Sequence, residues 1–391
     1  MKLVVIGFGQ CGGRIADEFA RLNKRARAQR GIEICPGVFA VNTDAADLSG
    51  LQTIPADYQH RVLVGGRKTG GHGVGKINEL GAEVISEDAD KIVDAIRTAR
   101  RFYEADAFLL IAGGAGGTGS GGVAIITQHI KDRYGDKPVY NLIALPFEHE
   151  EKTEERTVYN TAVCLKSVSA VADAVFLVDN QRYVRKDFSL KNNIAKINSL
   201  IAEPFYNVLC AGEEKKVKHI GAKTLDAGDI IQTLVGWTVI GYGQSALPML
   251  RIPFTQTRNF RKKSTETHKG IQAMDEALSE LSLRCNPTDT GRALYLLSAP
   301  AKEMNMDVVK ELGDYLRDLA PEAIIRNGDY PRERGMVDVT VILSELRDVE
   351  KVRKYYTESA SFIREVTQRQ DEVKTKLEGI EEAGKDIPSL L

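Results

Sequence analysis

Seven of the ten residues from 113 to 122 are glycine, and this stretch constrains the fold more than any other. It follows the apolar run 107–111, which is typical of a buried strand, and precedes a helix-like segment that begins at Val123. Glycines let backbone N–H groups converge on an anion, and the N-terminus of the following helix adds a favourable dipole. We therefore predict a phosphate-binding loop, with the hydroxyls of Thr118 and Ser120 as further contacts.

This loop differs from the P-loop of common nucleotide-binding proteins. A P-loop ends in Gly-Lys-Ser/Thr, whereas Gly121 and Gly122 are followed by Val123. We therefore expect the phosphates to be held by backbone and hydroxyl groups, without a point charge.

A second glycine motif, Gly7-x-Gly9-x-x-Gly12, ends the first predicted strand. The spacing suits close approach of the backbone to a diphosphate, although a tight strand–helix turn has the same pattern. A dinucleotide site also needs an acid about 20 residues further on, at the end of the second strand. Glu33 falls before that strand, and the strand ends in residues 42–44, Asn-Thr-Asp. The spacing therefore argues against NAD.

Other polar residues follow the remaining strands. Asp44 could hold a water bound to Mg²⁺, or cap a helix. Gly73 lies in the glycine cluster 69–76, which either senses a terminal phosphate or is a mobile loop, and His72 in that cluster is expected to be solvated. An acid after the fifth strand could bind ribose or begin a helix, and Asn180 after the sixth could contact a base.

Two carboxylates further along the chain are spaced for joint action. Asp226 and Asp229 are three residues apart and can lie on one side of a helical turn, where they could polarise a water for phosphoryl transfer. The alternative is structural, with Asp226 as the N-cap of a helix and Asp229 in its first turn.

Composition excludes several classes of protein. The 53 Lys and Arg residues balance 54 Asp and Glu residues, which argues against a nucleic-acid partner. The five cysteines are widely spaced without a CxxC pair, so neither structural zinc nor a disulfide framework is expected. The chain begins directly with a predicted strand and contains no apolar run of 18 residues. We therefore expect a cytoplasmic protein without a transmembrane segment.

The order of elements predicts an α/β fold with a doubly wound parallel sheet in the first half. A long helix over 190–211 then connects to a smaller α+β domain with a mixed four-stranded sheet. A polar loop containing Gly328 and Pro331 is expected inside that domain. After about residue 350 we expect a surface helix and, from about Gly379, a loose tail. The predicted strands are 3–6, 38–41, 61–64, 107–111, 139–145, 174–178, 238–241, 292–298, 323–326 and 336–343, and the predicted helices of the first half are 13–30, 77–101, 123–134 and 155–169.

Several loops together resemble the tubulin/FtsZ superfamily. Residues 113–122 are similar to its signature, in which glycines flank Thr-Gly-Ser-Gly, and residues 9–12 resemble the tubulin form of the first loop. Residues 42–48 and 145–147 resemble the FtsZ forms of two later loops, and residues 179–180 the tubulin form of another. This mixture, spanning almost the whole chain, is most similar to the archaeal tubulin-like CetZ group.

The resemblance implies a GTPase that binds GTP or GDP with Mg²⁺ and assembles head-to-tail into protofilaments. It implies that Asp226 and Asp229 act on the nucleotide of the next subunit, and it suggests a role in cell shape. The implied divisions are a GTP-binding domain (1–188), a core helix (189–212), a C-terminal activation domain (213–350) and a C-terminal helix and tail (351–391). The residues implied to bind the nucleotide are Gly9, Gln10, Cys11, Gly12, Gly13, Arg14, Asp44 (near Mg²⁺, through water), Gly73, Gly114, Ala115, Gly116, Gly117, Thr118, Gly119, Ser120, Glu150, Asn180, Ile194 and Asn198.

Two departures from the family pattern keep open a GTP-binding regulator, and the motif Gly7-x-Gly9-x-x-Gly12 alone keeps open an oxidoreductase. Ile194 stands where an aromatic residue usually stacks on the base, and Thr224 where asparagine is common. The acid that contacts ribose is Glu150 or a neighbour near Thr153, depending on where a small insertion is placed. The alternatives are an NAD-dependent oxidoreductase and a GTP-binding regulator that neither hydrolyses nor polymerises. The tail is a possible contact for a membrane surface or an accessory protein.

Overall fold

The computed structural model describes residues 1–184, 190–247, 260–333 and 335–364, and the single residues 377, 382 and 385. The predicted tail, and the contacts suggested for it, lie almost entirely outside this described part. Among the described residues, no helix is both long and apolar enough to cross a membrane.

Within the described residues, ten strands form one sheet in the order β3-β2-β1-β4-β5-β6-β7-β10-β8-β9. Strands β1 to β6 pair in parallel, as the buried apolar runs predict. The strands are β1 (Leu3–Phe8), β2 (Gly37–Asn42), β3 (Arg61–Leu63), β4 (Ala107–Gly113), β5 (Val139–Leu145), β6 (Ala174–Asp179), β7 (Gly236–Ala246), β8 (Thr290–Ala299), β9 (Ile324–Pro331) and β10 (Met336–Leu346).

Helices cover both faces of the parallel part of the sheet. The side chains of β1 alternate between two apolar cores, with Val4 and Ile6 in one and Leu3 and Val5 in the other. The helices are α1 (Gly9–Arg30), α2 (Ala45–Ser49), α3 (Gly66–Thr69), α4 (Asn78–Glu87), α5 (Ala89–Arg97), α6 (Thr118–Arg133), α7 (Glu148–Thr153), α8 (Glu155–Val171), α9 (Leu190–Ala211), α10 (Ala227–Thr233), α11 (Phe260–Ser279), α12 (Met306–Leu319) and α13 (350–364).

The second half contains the expected mixed sheet of four strands. Strand β7 pairs antiparallel with β10, β10 antiparallel with β8, and β8 parallel with β9. Strand β7 also pairs in parallel with β6, at Ala174–Gly236 and the next two positions, so it joins the two sheets into one. The sequence did not predict this continuity, because nothing local to β7 specifies two partners.

Two local predictions were wrong. Gly328 and Pro331 lie inside β9 rather than in a loop, because β9 pairs with β8 as far as Ala299–Pro331. A proline is tolerated there because it sits at the last position of an edge strand. The single helix expected over 77–101 is two helices, α4 and α5, which meet at Asp88.

Helix α9 has the bounds that the sequence predicted, and it packs against α1. Phe205 contacts Phe19 with ring centroids 5.3 Å apart. Glu203 forms a two-pronged ion pair with Arg25, at 2.7 and 3.0 Å. These contacts fix the second half of α9 along α1, and the first half of α9 reaches the edge of the sheet where the parallel strands end.

Candidate functional site

A cavity of about 370 Å³ opens at the carboxyl ends of the parallel strands. This is the edge where open α/β sheets bind their ligands. It brings together fifteen of the nineteen residues predicted to bind a nucleotide: Gly9, Gln10, Cys11, Arg14, Asp44, Gly73, Ala115, Gly116, Gly117, Thr118, Gly119, Glu150, Asn180, Ile194 and Asn198. The cavity is also lined by Phe8, Asn42, Thr43, Asp47, Val74, Lys76, Gly113, Ala144, Pro146, Phe147 and Ile197.

The other four predicted residues lie behind the cavity wall. A Cβ on Gly12 would lie 2.1 Å from the carbonyl oxygen of Ile111, so this glycine allows α1 to pack closely on β4. Gly13 is buried near Ala40, and Gly114 near Thr161. The Ser120 hydroxyl donates to the carbonyl of Gly116, and its contact with phosphate stays a prediction. These residues therefore shape the loops.

Two helices begin at this cavity with open N-termini. Helix α1 starts at Gly9 and α6 at Thr118, and the preceding residues, Phe8 and Gly117, make no capping hydrogen bond through their side chains. Gly9 has a φ of 67°, and a Cβ there would lie 3.3 Å from the backbone nitrogen of Gly119. The two glycine loops thus meet, and both helix dipoles point their positive ends at one site for an anion.

Among the described residues, two cations line the cavity: Arg14, which the family resemblance implied, and Lys76, which it did not. Arg14 lies in the second turn of α1, and Lys76 is the last residue of the glycine cluster 69–76. Lys76 has a φ of 61° and pairs with Glu154. A positive φ at a non-glycine residue is strained, and such residues cluster at functional sites.

Asn160 on α8 is a residue that the sequence did not single out. Its side-chain amide donates to the carbonyl of Lys76 at 2.9 Å and to that of Ala115 at 3.0 Å. One buried amide therefore ties two of the glycine loops together. An asparagine inside a helix gives only a weak sequence signal for this role, because the partners are distant in the chain.

Asp44 adopts the capping geometry that was the alternative interpretation. Its Oδ1 accepts hydrogen bonds from the N–H groups of Ala46 at 2.8 Å and Asp47 at 3.0 Å. Its Oδ2 lies 3.7 Å from the position of a Cβ on Gly73, on the cavity side. Both roles are thus compatible, with one oxygen for the cap and one for the cavity.

The far end of the cavity is less charged. Ile194 and the buried Asn198 enter from α9, and Asn180 follows β6. The N–H of Phe147 donates to Glu150 Oε2 at 3.0 Å, so this carboxylate is held at the cavity wall. Burial raises the pKa of the Cys11 thiol to about 12, so the thiol lines the cavity as a neutral group.

The two acids predicted to be catalytic do not line this cavity. Asp226 caps α10, accepting a hydrogen bond at Oδ1 from the N–H of Asp229 at 2.8 Å. The Asp229 carboxylate is 40% exposed, and its Oδ1 lies 3.5 Å from Nε of Arg326. Both residues therefore match the structural alternative, and the structure does not bring them to the predicted nucleotide.

Glu33 and His72 have no place at the cavity either. Glu33 pairs with Arg27 and, at 3.6 Å, with Arg101, and lines a separate depression with Lys2. This removes the acid on which a dinucleotide site would depend. His72 is exposed, as expected for a solvated loop.

Comparison with protein families gives two consecutive matches. Residues 2–186 match the Tubulin/FtsZ family, GTPase domain, and residues 187–361 match the tubulin-like CetZ C-terminal domain. Tubulin-like protein CetZ1 of Haloferax volcanii is 31% identical over 370 residues, covering 90% of each chain. CetZ3 of the same organism is 30% identical over 396 residues, covering 99% of this chain and 98% of its own.

Solved structures give the same result. The GDP-bound CetZ1 monomer from H. volcanii has a TM-score of 0.78 at 29% identity, covering 92% of this chain and 99% of that one. The GTPγS-bound CetZ2 protofilament from H. volcanii has a TM-score of 0.79 at 28% identity, covering 94% of this chain and 100% of that one.

Proposed function

Since the chain belongs to the tubulin/FtsZ family of GTPases, and within it to the tubulin-like CetZ proteins, we propose that it binds GTP and assembles head-to-tail into protofilaments. The CetZ2 relative forms such a protofilament with GTPγS bound. We also propose the division into a GTP-binding domain (1–188), a core helix (189–212), an activation domain (213–350) and a C-terminal helix and tail (351–391).

The cavity suits one orientation of the nucleotide. The open N-termini of α1 and α6, with Arg14 and Lys76 beside them, supply positive potential for the phosphates. The apolar and amide groups of Ile194, Asn198 and Asn180 at the other end suit a guanine base. Glu150 lies at the wall as the group that would bind ribose hydroxyls.

The separation of Asp226 and Asp229 from the cavity carries the proposal for hydrolysis. The cavity proposed for the nucleotide lies at the carboxyl ends of the parallel strands, whereas these acids lie on α10 in the second half of the chain. A head-to-tail contact would place α10 of one subunit over the nucleotide of the next. Such an interface is heterologous, and it propagates a filament when the rotation between subunits does not close a ring.

In this arrangement Asp229 orients the attacking water on the γ-phosphate of the neighbouring nucleotide. Asp226 fixes the first turn of α10 through its cap, and therefore the position from which Asp229 projects. Arg326 lies within 3.5 Å of the Asp229 carboxylate and favours one orientation of it. Hydrolysis then requires assembly, because neither subunit contains the whole site.

The residues at the cavity fit a Mg²⁺ ion that is held mainly by phosphate and water oxygens. No cluster of three or more metal-binding side chains occurs in the described part of the chain, whereas Asp44 has one oxygen free of its helix cap on the cavity side. We propose that Asp44 binds a water of the ion. The ion would neutralise charge on the phosphates.

The test of the shared site is the GTPase rate per molecule as a function of protein concentration. We expect the rate to rise steeply above a critical concentration, together with sedimentable polymer in GTP but not in GDP. A rate per molecule that stays constant across the same range would contradict a site completed by a second subunit.

Replacing Asp44 with asparagine separates its two roles. Asparagine is an equally good N-cap, so α2 should persist. Loss of the carboxylate should raise the Mg²⁺ concentration for half-maximal GTPase activity by about tenfold, the usual scale for a residue that orients a metal-bound group. Asp57→Asn, a change of the same type outside the cavity, is the control. An unchanged Mg²⁺ requirement in Asp44→Asn would exclude this role.

On the family resemblance alone, we propose that the filaments are cytoplasmic and control cell shape rather than division. Microscopy of cells that lack the gene tests this, since normal shape with blocked division would contradict it.

A further inference from the structure

Helix α13, which lies at the end of the described chain, packs against the nucleotide-binding half of the molecule. One face of it is buried, at Val352, Tyr355 and Ser359. The ring of Phe362 contacts Tyr159 on α8, with centroids 5.9 Å apart. The helix therefore belongs to the second half in sequence but rests on the first half in space.

One ion pair links α13 to the turn that carries Asn180. Nζ of Lys351 lies 2.8 Å from Oδ1 of Asp179, and both side chains are at most 20% exposed. The same oxygen accepts a hydrogen bond from the N–H of Gln181 at 3.1 Å, which closes the 3₁₀ turn Asn180–Tyr183. Lys351 thus stabilises the carboxylate that fixes this turn.

A second contact links α13 to the helix that carries Glu150. The Tyr355 hydroxyl donates to Oε1 of Glu151, a carboxylate that is only 11% exposed. Lys351 and Lys354 each lie 4.0 Å from an oxygen of the same carboxylate. Glu151 is adjacent to Glu150 on α7, so these contacts hold α7 from the side away from the cavity.

The 3₁₀ turn and α7, which both contact α13, are also hydrogen-bonded to each other. The side-chain oxygen of Gln181 accepts a hydrogen bond from the N–H of Glu148 at 3.4 Å, which joins the 3₁₀ turn to α7. None of Lys351, Tyr355, Glu151 and Asp179 lines the cavity. Burying charged groups is unfavourable unless they are paired, and removing one partner leaves the other uncompensated. The cluster is therefore a rigid support behind the base and ribose end of the site.

We propose that α13 is a clamp that holds Asn180 and Glu150 in place for the nucleotide, with Lys351 and Tyr355 as positioning residues. This inference rests on the proposed binding of GTP in the cavity. If α13 holds these two residues, it also affects how fast the nucleotide is released.

The test is the dissociation rate of a fluorescent GDP analogue from the monomer, displaced by excess unlabelled GDP. We expect Lys351→Met to release it about tenfold faster, within the usual range of coupling between sites. Tyr355→Phe, which removes one hydrogen bond, should release it about threefold faster. Lys351→Arg, which retains the charge, should release it within about twofold of the wild-type rate. Arg353→Ala is the matched control, since Arg353 is 65% exposed on the same helix and, within the described residues, its ion pair is with the nearby Asp348 at 3.1 Å.

The outcomes separate this inference from the proposed function. A wild-type chain that retains no guanine nucleotide contradicts both. A wild-type chain that retains GDP, with release unchanged in Lys351→Met and Tyr355→Phe, overturns the clamp alone. If Lys351→Arg also releases GDP fast, the cause is a general loss of stability and not the loss of the positive charge. That result counts against the clamp.

A measurement on the unmodified protein covers the case in which Lys351→Met does not fold. Coupling is reciprocal, so a bound nucleotide must stabilise α13 as much as α13 stabilises the bound state. We expect GDP to slow hydrogen–deuterium exchange at the amides of residues 352–358 by severalfold. Exchange there that is unaffected by saturating GDP would overturn the clamp.

Discussion

Replacing Asp229 with asparagine is expected to lower the turnover number for GTP by at least about a hundredfold, the usual cost of removing a group that acts in the transition state. GTP affinity should remain within about twofold, because Asp229 does not line the cavity of its own subunit. The carboxylate is 40% exposed, so little change in folding stability is expected. Single-turnover hydrolysis, GTP binding and sedimentation of polymer together measure these effects.

Asp226→Asn distinguishes catalysis from capping at the neighbouring acid. Asparagine retains the N-cap that Asp226 provides to α10, whereas alanine would cost about 1 kcal/mol of stability. Asp314→Asn, an exposed acid on α12, serves as a control for the loss of one negative charge. Loss of GTP binding in Asp229→Asn would contradict the shared site, because it would place this residue against its own nucleotide.

Gly116→Asp is expected to abolish GTP binding, weakening it by at least about a hundredfold, without unfolding the protein. A Cβ at Gly116 meets no atom within 4 Å, and the residue lines the cavity. The new carboxylate would therefore enter the place proposed for the phosphates and repel them. Titration with a fluorescent GTP analogue measures the affinity, and urea unfolding measures the stability.

Two other glycine variants show whether the loss of GTP affinity in Gly116→Asp is caused by the charge and the location of the new side chain. Gly116→Ala adds a methyl group in open space and should keep most of the affinity. Gly121→Ala would place a Cβ 2.1 Å from the carbonyl oxygen of Asn78, where α6 packs on α4, so it should destabilise the fold by about 1–3 kcal/mol. Tight GTP binding by Gly116→Asp would contradict the assignment of this loop to the phosphates.

Mixing these two inactive variants gives a sharper test of the shared site. An Asp229→Asn subunit retains the nucleotide cavity, and a Gly116→Asp subunit retains Asp229. A head-to-tail contact between the GTP-loaded cavity of an Asp229→Asn subunit and α10 of a Gly116→Asp subunit pairs an intact cavity with an intact acid, because the interface is heterologous. We therefore expect the mixture to regain GTPase activity that neither variant shows alone. Continued inactivity of a mixture in which Gly116→Asp sediments together with Asp229→Asn would argue for a site within one subunit.

The fold was largely predictable because its signals are local. Strands such as 107–111 are continuous apolar runs, and α9 begins and ends at the residues that its helical periodicity indicated. The same is true of most of the cavity, since residues that follow parallel strands must meet at one edge of the sheet. Family resemblance added the acids on α10, which no local pattern distinguishes from a helix cap.

The remainder depends on contacts between distant parts of the chain. The carbonyl of Lys76 is held beside that of Ala115 by the side chain of Asn160, which is far along the chain. The pairing of β7 with both β6 and β10 could not be predicted from β7 itself. The packing of α13 on α7 could not be predicted from the sequence either, because Lys351 and Glu151 are ordinary surface residue types.

The α/β fold, the glycine loops and the family could thus be predicted from the sequence alone. Glycine positions and apolar runs act through backbone conformation and burial, which are set within a few residues. Tertiary contacts were needed to place Lys76 beside Arg14 at the cavity, to join two glycine loops through Asn160 and to pack α13 behind the far end of the cavity. These features depend on distances between residues that are far apart in the chain. Such distances are fixed by tertiary packing and not by the conformational preferences of neighbouring residues.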